Sequence, residues 1–256
     1  MNRLVAVLAS LVIAATLIDA QETPADNWLE VIAAIERASI EGSAKALKSA
    51  REDLLHRASS LAVRDRAPLV QYAIAYTAWR MASLSRVPGN ERDALLDDGV
   101  ARLQAVIKAN PRDAEALALL SGLYALQIGR SPLKAIVLGS RISGTLDRAT
   151  DVEPNNPRVA LQAGISALHT PSAFGGGTNQ SERLLRRSLE LFAQEPFDRP
   201  WPNWGRVDAH AWLGQVLVRK GDRVGARAEY DRALALSPNA GWVRNVLLPA
   251  LERGKR

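Results

Sequence analysis

The sequence predicts an all-α protein whose helices pair into hairpins and stack into a solenoid. Apolar residues recur at helical spacing along almost the whole chain of 256 residues. No stretch alternates convincingly between apolar and polar residues as a strand does, and Pro, Gly and Asn interrupt the helical stretches at short intervals. Short connections make consecutive helices antiparallel neighbours. Because one hairpin cannot bury its own apolar face, we expect the hairpins to stack.

The helix boundaries follow from capping and helix-breaking residues. Asp26, Ser43 and Asp113 are suited to cap the helices that follow them, Gly42 separates the first two helices, and Pro111 ends another. Runs rich in Pro, Gly or Asn mark the later turns. In chain order, we expect helices at residues 26–39, 43–61, 68–85, 91–109, 114–128, 132–152, 158–168, 180–192, 207–220, 223–237 and 241–253.

A repeat signature is clearest in residues 207–240, a unit of 34 residues. Small residues that allow close helix approach are combined with larger residues that fill the space between helices. The unit resembles the tetratricopeptide repeat (TPR), whose pattern is W-x₂-L-G-x₂-Y, then A-x₃-F, then P. His210 and Leu217 stand where that family has Trp and Tyr. The matching positions are Leu213, Gly214, Gly221, Ala226, Tyr230, Ala233 and Pro238.

Weaker repeats precede this unit, at about residues 68–111, 114–154 and 157–196. Relative to the clear repeat, nine residues are inserted in the second of them and five in the third. We interpret residues 26–61 as a cap or a further, cryptic pair. The resemblance implies a single right-handed α-solenoid domain of TPR-like hairpins over residues 21–256, with the first helix of each pair on the concave face.

Residues 1–20 have the organisation of a cleaved secretory signal peptide. A positive charge at Arg3 precedes an unbroken run of 14 apolar and small residues, and polar residues follow a candidate cleavage site after Ala20. This run is shorter than the roughly 20 apolar residues that span a bilayer. An uncleaved N-terminal anchor is the alternative. We therefore expect a periplasmic or secreted protein with no integral membrane segment after cleavage.

The composition excludes several classes of site. The chain has no cysteine, which excludes disulfides, thiolate metal sites and cysteine nucleophiles. Its three histidines show no metal-ligand spacing, and no G-x-S-x-G motif surrounds Ser172 near His169. We expect no cofactor, no metal and no enzymatic activity. The net charge of +6 does not indicate a nucleic-acid partner, because the basic residues are interspersed with acids.

A glycine-rich stretch at residues 174–178 lies within the five-residue insertion. A phosphate-binding loop would need a lysine and a preceding strand, and both are lacking here. The favoured interpretation is a flexible turn with glycines at positions of positive φ. The alternative is that its amides hold a small anion or a partner's carboxylate at the start of the next helix.

Aromatic residues concentrate just before and within the clearest repeat. Trp201, Trp204 and Trp212 fall within twelve residues and are accompanied by Phe197 and Pro200. Such a loop most often fills the groove between two helices. The functional alternative is an aromatic wall on the concave face that captures a peptide or a small ligand.

Arginines also cluster on the preceding helices. We favour a solvated face in which they pair with Glu182 and Glu190, and the alternative is a surface for an acidic partner segment. The arginines concerned are Arg141, Arg148, Arg183, Arg186 and Arg187.

These observations favour a non-enzymatic periplasmic TPR-like scaffold that binds a protein or peptide partner, such as a membrane transport or envelope complex. The glycine-rich link and the Trp204-Gly205 pair resemble exported bacterial proteins with cryptic repeats, a group that includes partner subunits of TRAP-type transporters. The alternative is a small-ligand-binding helper subunit of such a system, which needs a closed apolar pocket of roughly a few hundred Å³. The expected partner-binding residues are Tyr124, His169, Phe174, Trp204, His210 and Trp212.

Overall fold

Eleven α-helices follow one another through the described part of the chain. The computed structural model describes residues 28–58, 67–84, 87–129, 132–196, 198 and 201–254, and no strand occurs among them. The prediction of an all-α solenoid is confirmed. The helices are α1 (Trp28–Glu41), α2 (Ala44–Ala58), α3 (Ala67–Ala82), α4 (Gly89–Ala109), α5 (Ala114–Ile128), α6 (Pro132–Val152), α7 (Pro157–His169), α8 (Thr178–Gln194), α9 (Arg206–Arg219), α10 (Arg223–Leu236) and α11 (Leu248–Arg253).

Several predicted features lie outside the described residues. They are the signal peptide at residues 1–20, the Asp26 cap, and Phe197 and Pro200 of the aromatic segment. Within the described ranges, no helix is both long enough and apolar enough to cross a membrane.

Local capping explains where the helices begin. Asp113 accepts a hydrogen bond from the Ala116 amide at 2.9 Å, as predicted, and Ser43 accepts one from the Ala46 amide at 3.3 Å. Gly42 has a φ of 68°, which separates α1 from α2 at little steric cost. The last predicted helix differs from the expectation, because a π-helical turn at Val243–Leu247 precedes α11.

Consecutive helices pack as hairpins, and the hairpins stack. The pairs are α1/α2, α3/α4, α5/α6, α7/α8 and α9/α10. The first helices of successive pairs pack directly on one another, α3 on α5, α5 on α7 and α7 on α9. The first helices of these four pairs therefore form the inner layer of the solenoid, and their partners lie outside it.

The clear repeat packs as its residue types predict. A Cβ at Gly214 of α9 would lie 2.2 Å from the ring of Tyr230 on α10, so only glycine allows this approach. Ala226 and Ala233 are fully buried in the same hairpin. Gly164 plays the same part in the preceding pair, where a Cβ would lie 2.7 Å from Leu185.

The two insertions lengthen different elements. Most of the nine-residue insertion extends the second helix of its pair, since α6 has 21 residues and α10 has 14. The five-residue insertion forms the connection between α7 and α8, which includes a 3₁₀ turn at Ser172–Phe174.

Candidate functional site

The inner face of the solenoid is filled by the chain itself. Trp201 and Trp204, which lie between α8 and α9, pack against Tyr72, Tyr76 and Trp79 of α3; we call these five residues the inner aromatic cluster. The ring of Trp201 lies 5.1 Å from that of Tyr72, edge to face. The ring of Trp204 lies 5.3 Å from that of Tyr76 and 5.4 Å from that of Trp79. The Trp204 indole N–H also donates to the Tyr72 hydroxyl at 3.0 Å.

An ion pair crosses the inner face beside this cluster. Arg80 of α3 donates to Asp208 of α9 at 2.9 Å and to the carbonyl of Ser39 in α1 at 2.7 Å. Its guanidinium also lies 5.4 Å from the Trp79 ring centre. Burial opposes the charge, but Asp208 outweighs it and raises the pKa of Arg80. The ion pair therefore joins α3, in the first of the four hairpins from α3 to α10, directly to α9, in the fourth.

Arg158 of α7 anchors the aromatic segment that lies between α8 and α9. This side chain is fully buried, and its Nε donates to both carboxylate oxygens of Glu115 at 2.9 Å. Its other nitrogens donate to the carboxylate of Glu195 and, at 2.9 Å, to the carbonyl of Trp204. Asn156 donates to Glu115 at 3.0 Å and so completes the network. Arg158 therefore fixes the backbone of the segment against α5, α7 and the end of α8.

A second aromatic group, formed by His169, Trp212 and Trp242, lies nearer the surface; we call it the rim group. Trp212 of α9 lies 5.9 Å from His169, edge to face, and 5.1 Å from Trp242. His169 is exposed, whereas both tryptophans are half-buried. Partial burial and the charge of Arg219 lower the pKa of His169, so its imidazole is neutral near pH 7. Phe174, in the turn that follows α7, is 80% exposed.

Comparison with solved structures identifies this architecture. A thermophilic TPR protein from Thermus thermophilus is similar with a TM-score of 0.58, at 18% identity over 81% of this chain and 91% of that chain. The chain has a TPR-like fold. The predicted resemblance is thereby confirmed at the level of fold.

A second similar structure is the HusA haemophore from Porphyromonas gingivalis. Its TM-score is 0.56, at 20% identity over 73% of this chain and 93% of that chain. No model of a protein family and no curated protein sequence matches the chain. The similarity is therefore one of TPR-like fold.

The TPR-like fold separates the six predicted binding residues. His169 and Trp212 come together in the rim group, and Phe174 lies in the 3₁₀ turn that follows α7. Trp204 is buried in the inner aromatic cluster. Tyr124 is buried and accepts a hydrogen bond from Gln104 of α4, while His210 lies 2.7 Å from Glu229 of α10. Contact of these residues with a partner stays a prediction.

Two residues that support these groups have no functional signal in the sequence. Arg158, which holds the aromatic segment, directly follows Pro157 in the first turn of α7. Trp242 lies beyond the clear repeat, so nothing places it beside Trp212 before the chain is folded.

The glycine amides of the glycine-rich turn donate hydrogen bonds to nearby backbone carbonyls. Gly177 N–H donates to the carbonyls of Ala167 and Thr170, at 2.8 and 2.9 Å, and the two preceding glycine amides also donate to carbonyls of the turn. Gly175 and Gly177 have φ values of 82° and 95°, which favour glycine. The turn interpretation therefore describes this stretch, and these amides are not available to an anion.

The arginines of α8 lie on a solvated face, which is the interpretation that the sequence favours. Arg186 pairs with Glu182 at 2.8 Å, and Arg187 reaches Glu190 at 3.5 Å. Lys220, at the end of α9, also pairs with Glu182, at 2.7 Å. These exposed pairs make weak contributions to stability.

The surface formed by the described residues includes two small, partly open cavities. One, of about 110 Å³, lies beside the inner aromatic cluster, and the other, of about 200 Å³, lies between α10 and α11. Neither is the closed pocket that a small-ligand-binding helper would need. No group of three His, Asp or Glu side chains among the described residues is arranged to hold a metal ion.

Proposed function

We propose that this TPR-like protein is a non-enzymatic periplasmic scaffold that binds a protein or peptide partner through the rim group. The observation that carries the proposal is the contact of Trp212 with both His169 and Trp242 on a partly exposed surface. Aromatic side chains that are held in place and still accessible are typical anchors of protein interfaces.

The location of the rim group supports this role. His169 and Trp212 belong to α7 and α9, two first helices, and Trp242 extends the group beyond α10. Phe174 adds an apolar ring on the turn after α7. Because it is 80% exposed, this ring packs little against the described fold. A partner segment that covers this surface would bury Phe174 and the free faces of both tryptophans.

The inner face is a less suitable interface because it is already occupied. The inner aromatic cluster and the Arg80–Asp208 pair stand where an open TPR groove would receive a peptide. Binding there would require removal of the aromatic segment that Arg158 holds by its backbone carbonyl. We therefore place the partner on the rim group.

The alternative role as a small-ligand-binding helper of a transport system receives less support. It needs a pocket of roughly 300 Å³ or more. The cavities of about 110 and 200 Å³ are smaller.

The location is tested separately from binding. A phosphatase that is active only outside the cytoplasm, fused after residue 30, should be active with residues 1–20 present and inactive without them. N-terminal sequencing of the exported chain should begin at Gln21. Activity without residues 1–20, or an intact N terminus, would contradict cleavage and export.

Partner binding is tested by crosslinking from Phe174, on the turn that follows α7. A photo-crosslinking amino acid at Phe174 should capture one partner reproducibly from the periplasm, and the double variant Trp212→Ala/Trp242→Ala should reduce capture at least about tenfold. Leu133→Ala is the control, because Leu133 is a 77% exposed apolar residue on α6 and belongs to a different hairpin. Equal capture by the double variant and the control would overturn the proposed surface.

A further inference from the structure

A small cavity lies where α1 meets the inner aromatic cluster. It has a volume of about 110 Å³ and is partly open to solvent. Glu36 and Ile40 of α1 and Tyr76 of α3 form one side. Residues 203–208, which include Trp204 and Asp208, form the other.

Glu36 is the acid in this lining without a counter-ion. Within the described residues it forms no ion pair, and its Oε1 is buried without a hydrogen-bond donor. The Trp201 indole, whose N–H can only donate, lies next to the carboxyl group and lowers its pKa. Buried polar groups in native proteins are usually paired, so Oε1 can accept a hydrogen bond from a cationic ligand in the cavity.

The other charges around the cavity are already engaged. Asp208 is paired with Arg80. Arg206 donates to the carbonyls of Phe192 and Glu195, at 2.7 and 2.9 Å. A cation that entered the cavity would therefore meet one uncompensated carboxylate.

The walls of the cavity suit the same kind of ligand. Tyr76 and Trp204 line it, and aromatic rings attract ammonium and guanidinium groups. Its volume holds a head group with a short alkyl stem, not a drug-sized molecule. We infer that this cavity is a binding site for an ammonium or guanidinium head group, held by Glu36 and the rings of Tyr76 and Trp204.

The protonation of Glu36 is consistent with this role. Burial raises its pKa to about 6, and the charge of Arg158 and the Trp201 indole only partly offset the rise. The free carboxyl group is therefore mostly charged at pH 8 and mostly neutral at pH 5. A bound cation would lower this pKa again.

The test uses n-butylammonium and n-butylguanidinium as probes and n-butanol as the uncharged analogue. Calorimetric titration of the full chain at pH 8 should give saturable binding of at least one cation and none of butanol. Glu36→Gln should weaken cation binding at least about tenfold, because it removes a charge-assisted hydrogen bond. Glu30→Gln is the matched control, since Glu30 is exposed on the same helix. Thermal melts of both variants verify that they are folded.

Two further outcomes complete the experiment. Binding of acetyl-Gly-Lys-Gly-amide at least as tight as that of butylammonium would identify the natural ligand as a side chain of a partner, and weaker binding would identify a free amine. Both support the site. Equal affinity of Glu36→Gln and Glu30→Gln for the cations, or butanol binding as tight as that of the cations, would overturn it. None of these results depends on the rim group.

Discussion

Asp208, in the first turn of α9, lies 2.9 Å from Arg80, near the end of α3, although 128 residues separate them in the chain. Both side chains are largely buried, with 15% and 16% of their surface exposed. The pair joins the first and last hairpins of the stretch from α3 to α10 across the inner face of the TPR-like solenoid.

We predict that Asp208→Asn destabilises the protein by roughly 3 kcal/mol, because it leaves the Arg80 charge buried without its counter-ion. Urea unfolding followed by circular dichroism measures the loss. Asp231→Asn is the control, since it breaks an exposed pair with Arg227 and should cost less than about 1 kcal/mol. Equal losses for the two variants would show that the crossing pair is not needed.

Arg158→Gln is expected to have an effect at least as large, roughly 3–5 kcal/mol. It leaves the carboxylates of Glu115 and Glu195 buried without their shared cation. Arg158→Lys should restore little of this loss, because an ammonium cannot bond both Glu115 oxygens and also reach the Trp204 carbonyl. Unfolding of both variants in urea checks this, with the exposed Arg186→Gln as control. Full recovery in Arg158→Lys would contradict the geometric argument.

Substitution of alanine for either of two helical glycines should change the stability of the protein in opposite directions. Gly214→Ala places a Cβ 2.2 Å from the Tyr230 ring and should destabilise by about 1–3 kcal/mol. Gly139→Ala, on α6, meets no atom within 4 Å and should stabilise by up to about 1 kcal/mol through helix propensity. Thermal melts of the two variants give the comparison. A stable Gly214→Ala variant would argue against the close approach of α9 and α10.

Glu36 should make stability depend on pH in a defined direction. Burial raises its pKa from 4.5 to about 6 in the folded state, so the folded protein favours the neutral form. The stability this gives is fully present below about pH 4.5 and is lost as the pH rises through 6. Solvent screening limits the effect to roughly 1 kcal/mol.

The measurement is the difference in unfolding free energy between Glu36→Gln and the native chain at pH 4.5 and pH 7.5. On raising the pH from 4.5 to 7.5, the stability of the variant relative to the native chain should increase by roughly 1 kcal/mol. The charged and titratable groups near Glu36 (Arg158, Tyr76, Arg80, Arg206 and Asp208) are common to both proteins. A difference that does not change with pH would mean that the carboxyl group is solvated.

The positions of the helices can be predicted from the sequence because their signals are local. Asp113, Ser43 and Gly42 act within one turn of the helix ends that they define. The packing of Gly214 against Tyr230 is predictable for the same reason, since both residues belong to one repeat of 34 residues. The π-helical turn before α11 has no comparable local signal, so the sequence does not predict it.

The candidate site is less predictable than the fold. The sequence predicts that His169 and Trp212 bind a partner, and the structure brings them into contact. Trp242, which completes the rim group, belongs to no repeat motif. The sequence assigns Glu36 only to a cap or cryptic pair, and its position beside Trp201 depends on a segment 165 residues further along the chain.

The sequence by itself determined that this chain forms hairpins of helices in a TPR-like stack, because apolar spacing, caps and small residues act between neighbours. Only the tertiary structure decided that the inner face is filled. The contacts that fill it, of Trp204 with α3 and of Arg80 with Asp208, arise from the summed curvature of four hairpins. Small rotations between successive hairpins add up to bring distant side chains together, and no local pattern of residues records that sum.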